Sequence, residues 1–160
     1  MKLVRAQITN YRSIHESGSF DVENDVTCLV GKNESGKSAT LRALYGLRPV
    51  EDRKAFDEVV DYPATKTRER KRIDKDTFIP VVKATFELEN RDLVRVKKWF
   101  GDSALTSGQV TRHQGYRTPG VFAVDFDDAV MTQHLISKLD PTSQTTVGNV
   151  ATVEAFVKAL

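Results

Sequence analysis

The chain is 160 residues long, with 24 Lys and Arg against 22 Asp and Glu, for a net charge of +2. That near balance excludes a strongly basic nucleic-acid arm or an acidic tail as its whole business. Leu, Ile, Val and Phe make up 43 of the 160 positions, above the roughly 20% below which chains tend to stay disordered, so a packed core is expected in about one domain's length.

In chain order, Lys2-Leu3-Val4-Arg5-Ala6-Gln7-Ile8-Thr9-Asn10-Tyr11 alternates apolar and polar residues and predicts a strand with one covered face, anchored by Leu3, Ile8 and Tyr11. Ser17-Gly18-Ser19 predicts a turn, and Ser19–Val22 and Asp25–Val30 two further short strands, the second apolar enough to be central. Its Cys28 is the single cysteine, which excludes a disulfide framework or a cysteine zinc site and points to a reducing compartment. No stretch reaches the ~18 apolar residues of a membrane span, and the start lacks a signal-peptide core, so the reading is cytoplasmic, without membrane contact.

Ser38–Tyr45 is rich in helix formers, with Gly46 and Pro49 as stop signals. From Lys66 to Lys75 stand six basic residues (Lys66, Arg68, Arg70, Lys71, Arg72, Lys75) against Glu69 and Asp74, the one concentrated basic patch. Val81–Glu89 and Leu93–Phe100 both alternate around Asn90-Arg91-Asp92, which predicts an antiparallel hairpin with Trp99 and Phe100 ending its second strand in the core. Gly101–Gly120 suits a loop or weak strand. Asp125 is placed to cap a helix over about Phe126–Lys138, ended by Asp140-Pro141, and Val153–Leu160 is helical after the polar stretch Thr142–Asn149. The sequence stops inside that pattern, as a truncated unit does. The expected organisation is 1–50 as a core around a glycine-rich loop, 51–120 as basic loop and hairpin, and 121–160 as the start of a helical region.

Gly31-Lys32-Asn33-Glu34-Ser35-Gly36-Lys37-Ser38 fits G-x-x-x-x-G-K-[ST] at every fixed position, between a predicted buried strand and a predicted helix. In such a P-loop, successive backbone N–H groups and the helix N-terminus form a concave site for phosphates, with Gly31 and Gly36 permitting close approach. Lys37 is expected to reach the β- and γ-phosphate oxygens, and the Ser38 hydroxyl to take one position on Mg²⁺. No Asn-Lys-x-Asp guanine motif occurs, which favours ATP over GTP.

Leu3–Ile14, with its Asn10-Tyr11-Arg12-Ser13, then Gly31–Ser38 and Leu41-Arg42-Ala43-Leu44, resemble the N-terminal lobe of RecF/SMC-type, ABC-like ATPases, above all the AAA-type ATPase domain of OLD-family (overcoming lysogenization defect) nucleases. The resemblance is strong over Met1–Leu47 and weak beyond. It implies that Arg12 and Ser13 lie beside the nucleotide, as the Arg-Ser after the first strand does in that family, whose members commonly carry Gly or a small residue where Glu34 stands. It also implies a Walker B strand and a signature loop from a C-terminal lobe, hydrolysis when two heads close as a homodimer with ATP between them, and a TOPRIM nuclease domain in OLD-type proteins.

Leu105-Thr106-Ser107-Gly108-Gln109 and Val121-Phe122-Ala123-Val124-Asp125 imitate the signature and Walker B elements. Glycines and Pro119 follow the first too soon for a long helix, and Phe126 rather than Glu follows Asp125, so they read as a loop and a helix N-terminus. Without a carboxylate to hold the metal or polarise water, the chain by itself is not expected to hydrolyse ATP. His15, His113 and His134 are too scattered for a metal site. The basic run 66–75 offers salt-sensitive contact to DNA phosphates. The expected fold is α/β with a mixed sheet, the P-loop at the C-terminal end of a central strand, antiparallel β structure on either side of it in sequence, and helices from about Phe126 onward. The expected function is ATP and Mg²⁺ binding as the N-terminal portion of an OLD/RecF/SMC-type ATPase acting on DNA in repair or anti-phage defence. The alternative is a non-catalytic nucleotide-binding module or remnant without a DNA role.

Overall fold

In the computed structural model, residues 1–48, 56–117 and 120–159 are described. The sequence-based stop signal Pro49 and the 50/51 boundary lie outside these residues, as does Pro119. Five strands form one sheet in the order β2-β1-β3-β4-β5: β1 Lys2–Tyr11, β2 Ile14–Asp21, β3 Ile79–Glu87, β4 Leu105–Tyr116 and β5 Val121–Phe126. The sheet is antiparallel, not mixed. Parallel neighbours need long crossovers, whereas β1 turns directly into β2, and Thr9 Oγ1 near the end of β1 donates to Pro80 O at the start of β3 at 3.0 Å.

The chain divides into two compact units, one of residues 3–86 and 111–123, the other of 1–2, 87–110 and 124–160. In the first, β1 and β2 pair from Arg5↔Asp21 to Tyr11↔Ile14, leaving Arg12 and Ser13 as the turn. The turn expected at Ser17–Ser19 is instead an irregularity inside a continuous strand, where Ile8 N donates to Ser17 Oγ at 2.9 Å. The β1 anchors fall as expected: Ile8 and Tyr11 are buried and Leu3 packs against them. Helix α1, Lys37–Tyr45, turns Ala39 and Ala43 inward at an i, i+4 spacing, followed by Leu47 beyond its C-terminus. These small residues let the helix approach Ile8, Val81 and Val82, each essentially inaccessible and worth about 1.5–3 kcal/mol of burial. Gly46 is required here by packing, since a Cβ would sit 2.6 Å from the Phe56 ring. Phe56 meets Tyr11 and Tyr116 edge-on at 5.5 and 6.1 Å, the buried Tyr116 hydroxyl donating to Asn10 O at 2.9 Å.

Asp25–Val30, expected as the central strand, is irregular, with Val26 72% and Val30 89% exposed. A strand needs a partner, and among the described residues no strand pairs with this segment; Thr27 Oγ1 accepts from Glu23 N at 2.8 Å and closes it into a local turn. The single-turn helices α2, Glu58–Asp61, and α3, Thr67–Arg70, follow, separated by a 3-10 turn at Ala64–Lys66.

In the other unit, residues Leu93–Phe100 form no hairpin strand but helix α4, Asn90–Phe100. Leu93, Val96, Lys97 and Phe100 also follow the helical i, i+3, i+4, i+7 spacing, and a capping box between Glu89 and Asp92 decides the ambiguity. Trp99 consequently faces solvent, 66% exposed, rather than the core, while Phe100 packs on Phe126 at 5.1 Å. The glycine-rich stretch after 101 supplies the 12-residue β4. Val121–Asp125 belongs to β5, not to a helix N-terminus, and the cap of helix α5, Asp128–Ser137, is Asp127 rather than Asp125. Asp127 Oδ1 accepts from Val130 N at 3.0 Å, whereas Asp125 is still in the strand. The polar stretch after Pro141 is helix α6, Pro141–Val147, because Asp140 accepts from Thr142 N and Ser143 N and Pro141 occupies its first turn. Helix α7, Val153–Ala159, forms as expected and buries Phe156.

Candidate functional site

The site lies within the first unit, where α1 begins. Gly36 stands at its N-cap with φ +93, a conformation that favours glycine. No side chain caps this nine-residue helix and no acidic residue occupies its first turn. Its first N–H groups and the positive end of its dipole are therefore presented to an anion. In front of them lies an open concavity of about 610 Å³ lined by Ser13, Asn33, Glu34, Gly36, Lys37, Ser38 and Ala39.

The glycine-rich loop folds back on its own lysine. Lys37 Nζ donates to Gly31 O at 2.8 Å and to Lys32 O at 2.7 Å. Ser35 N donates to Lys32 O at 3.3 Å, which closes the loop on itself. Glu34 adopts φ +66, a left-handed conformation that costs a non-glycine residue about 1–2 kcal/mol. That geometry gives a physical reason for a glycine at this position. The loop does not follow a central strand, contrary to expectation; it follows the irregular 22–30 segment.

The β1–β2 turn abuts this loop: a Cβ on Gly36 would lie 3.1 Å from Ile14 Cγ1 and 3.6 Å from Ser13 Oγ. Ser13 thus joins Asn33, Glu34, Gly36, Lys37 and Ser38 around the concavity, while Gly31, Lys32 and Ser35 do not line it. Arg12 does not line it. Its Nε donates to Asp61 Oδ1 at 2.9 Å, and its guanidinium stands over the Tyr11 ring at 5.4 Å. Burial opposes the charged guanidinium, but the Asp61 carboxylate and the Tyr11 hydroxyl together hold Arg12 above its ordinary range. Tyr11 is pushed up by burial and by the same carboxylate. Asp61 was not foreseeable from local sequence, because nothing near it in the chain marks it as the partner of a turn 49 residues away.

The basic run is divided by the fold. Arg70 is held by α2, donating to Glu58 O at 2.6 Å, and Glu58 is also gripped by Arg117 through both carboxylate oxygens at 2.7 Å. Arg117 holds the Glu58 carboxyl below its usual range despite partial burial. Arg68, Lys71, Arg72 and Lys75 remain exposed. Among the described residues no cluster of His, Cys, Asp and Glu is arranged to hold a metal ion. No helix is long and apolar enough to cross a membrane among the described residues.

An uncapped helix start, a lysine-bearing glycine loop and an antiparallel sheet beside it are the parts of a nucleotide-binding domain. Residues 1–102 match the AAA ATPase domain family, and the chain belongs to it. Comparison with curated proteins finds no match. Family membership makes nucleotide binding the expected property, with ATP as the nucleotide and usually Mg²⁺ beside it.

Proposed function

We propose that the chain binds ATP with Mg²⁺ in the loop Gly31–Ser38, as the N-terminal portion of an OLD/RecF/SMC-like ATPase that acts on DNA. The observation that carries this reading is the uncapped start of α1 behind Lys37 and Ser38, at the edge of a concavity large enough for a polyphosphate chain. The residues fit the ligand: backbone N–H groups of the helix start meet phosphate oxygens, and Lys37 exchanges the carbonyls of Gly31 and Lys32 for them. Asn33 and Glu34 supply the outer rim, and Ser13 closes the side toward the β1–β2 turn. Mg²⁺ would neutralise phosphate charge when bound, and the Ser38 hydroxyl would offer it one oxygen.

Hydrolysis in this reading belongs to two such heads closing as a homodimer, with the water-polarising carboxylate and any TOPRIM nuclease supplied outside these residues. Its setting is DNA repair or anti-phage defence, in the cytoplasm. The DNA-facing surface is the exposed Arg68, Lys71, Arg72 and Lys75, with Arg70 excluded because it is committed to Glu58. Ser38→Ala tests the metal role: its ATP affinity should fall more with Mg²⁺ present than in EDTA, and equal losses in both would remove Ser38 from the metal. Lys71→Glu with Arg72→Glu should flatten the salt dependence of DNA binding by about two counterions, and an unchanged slope would return that surface to plain solvation.

A further inference from the structure

Trp99 is the chain's single tryptophan, and it stands 66% exposed on α4, although a ring of this size usually stabilises a fold by being covered. The helix that carries it is well seated. Leu93, Val96 and Phe100, at i, i+3 and i+7, are half-buried, and Phe100 packs on Phe126 at 5.1 Å. On the outer side Arg91, Arg95 and Lys98 follow at i, i+4 and i+7, all exposed, as a basic stripe about 10 Å long at 1.5 Å per residue. Trp99 borders that stripe one turn beyond Arg95. Arg91 pairs with Glu89 at 3.1 Å, whereas among the described residues no ion pair holds Arg95 or Lys98 and no ring or cation contact covers the Trp99 indole. The one acidic residue of the helix, Asp92, is committed to its N-terminus, where it accepts from Glu89 N at 3.2 Å.

We infer that the outer face of α4 is a docking surface for single-stranded DNA, with a base stacked on Trp99 and neighbouring phosphates held by Arg95 and Lys98. This rests on the reading of the chain as part of an ATPase that acts on DNA, and adds a contact separate from the basic residues 68–75. An open indole beside two unpaired cations matches a polymer that alternates planar bases with negative charges, and stacking of this kind tolerates any base. A duplex keeps its bases stacked on one another and offers the ring no free face. A membrane surface would need the apolar side of the helix, and on α4 that side is already spent on Phe126.

The test is titration of the chain with an oligothymidylate of about 16 nucleotides, read by the emission of Trp99, which no second tryptophan masks. Saturating DNA is expected to quench that emission. Anisotropy of a labelled oligothymidylate is expected to show Trp99→Ala binding roughly fivefold or more weakly, the scale of one base stacked on an aromatic ring, and Trp99→Phe, which keeps a ring, recovering most of that loss. Arg95→Gln with Lys98→Gln is expected to lower the slope of log affinity against log salt by about 1.4, at about 0.7 per phosphate contact on a single strand. The three positions are exposed, so the variants keep the fold, which circular dichroism checks. Binding that leaves Trp99 emission unchanged and depends on Lys71 and Arg72 overturns the inference and leaves the basic surface 68–75 standing. Tighter binding to the duplex with oligodeoxyadenylate, or quenching by phosphatidylserine vesicles in place of DNA, also overturns it. Binding to neither form of DNA overturns this inference and the DNA reading together.

Discussion

Replacing Gly36 with alanine probes the joint between loop, helix and hairpin turn. The residue lies at φ +93, beyond even the ordinary left-handed well, and residues held in such sparsely populated regions cost about 1–3 kcal/mol. The new Cβ would also stand 3.1 Å from Ile14 Cγ1, so Ile14, itself buried at 8% exposure, would have to give by a few tenths of an ångström. Part of the loss is offset because alanine restricts the unfolded chain, by about 0.4–1 kcal/mol. The net expectation is a destabilisation of about 1–2 kcal/mol, which in a chain of this size lowers the melting temperature by roughly 2–8 °C. Thermal unfolding followed by circular dichroism at 222 nm measures it. A melting temperature within a degree of the parent would refute the positive φ and the close contact with the hairpin turn together.

Glu58 is held below its ordinary carboxyl value by Arg117, so its contribution is complete above the unfolded value of 4.5 and is lost as pH falls through the lower folded value. Glu58→Gln should therefore cost stability at pH 7 and flatten the acid side of the stability profile, read by urea titration between pH 7 and pH 3; a parallel profile would count against the pair. Asp127→Ala should remove the α5 cap at a cost of about 1 kcal/mol, whereas Asp125→Ala, at an exposed strand position, should stay within about 0.5 kcal/mol. The reverse order in chemical unfolding would restore Asp125 as the cap.

The legible parts of the fold were those whose local pattern and tertiary setting agree. β1 alternates and has one covered face, α1 carries small residues at helical spacing with Gly46 behind it, and α7 shows its own period. Asp25–Val30 failed because strand composition states a need for partners and cannot supply them. Leu93–Phe100 is ambiguous in sequence because its residues admit both a strand and a helical spacing, and the capping box of Glu89 and Asp92 decides for the helix. Asp140-Pro141 fits a stop signal and a helix start alike, and in the structure α5 already ends at Ser137 while Asp140 caps α6. At the site, the motif Gly31–Ser38 can be read from the sequence because it consists of consecutive residues. The Arg12–Asp61 pair was not, because it joins a hairpin turn to a one-turn helix across a separation that only folding closes.

The most direct measurement is the affinity of Mg²⁺-ATP for the chain and for its Lys37→Ala variant, titrated under identical salt. Loss of the ammonium removes charge-assisted contacts to phosphate, each worth about 1.5–3 kcal/mol, so binding should weaken by roughly ten- to a hundredfold. Equal affinities in the two proteins would mean that the loop Gly31–Ser38 does not grip the nucleotide.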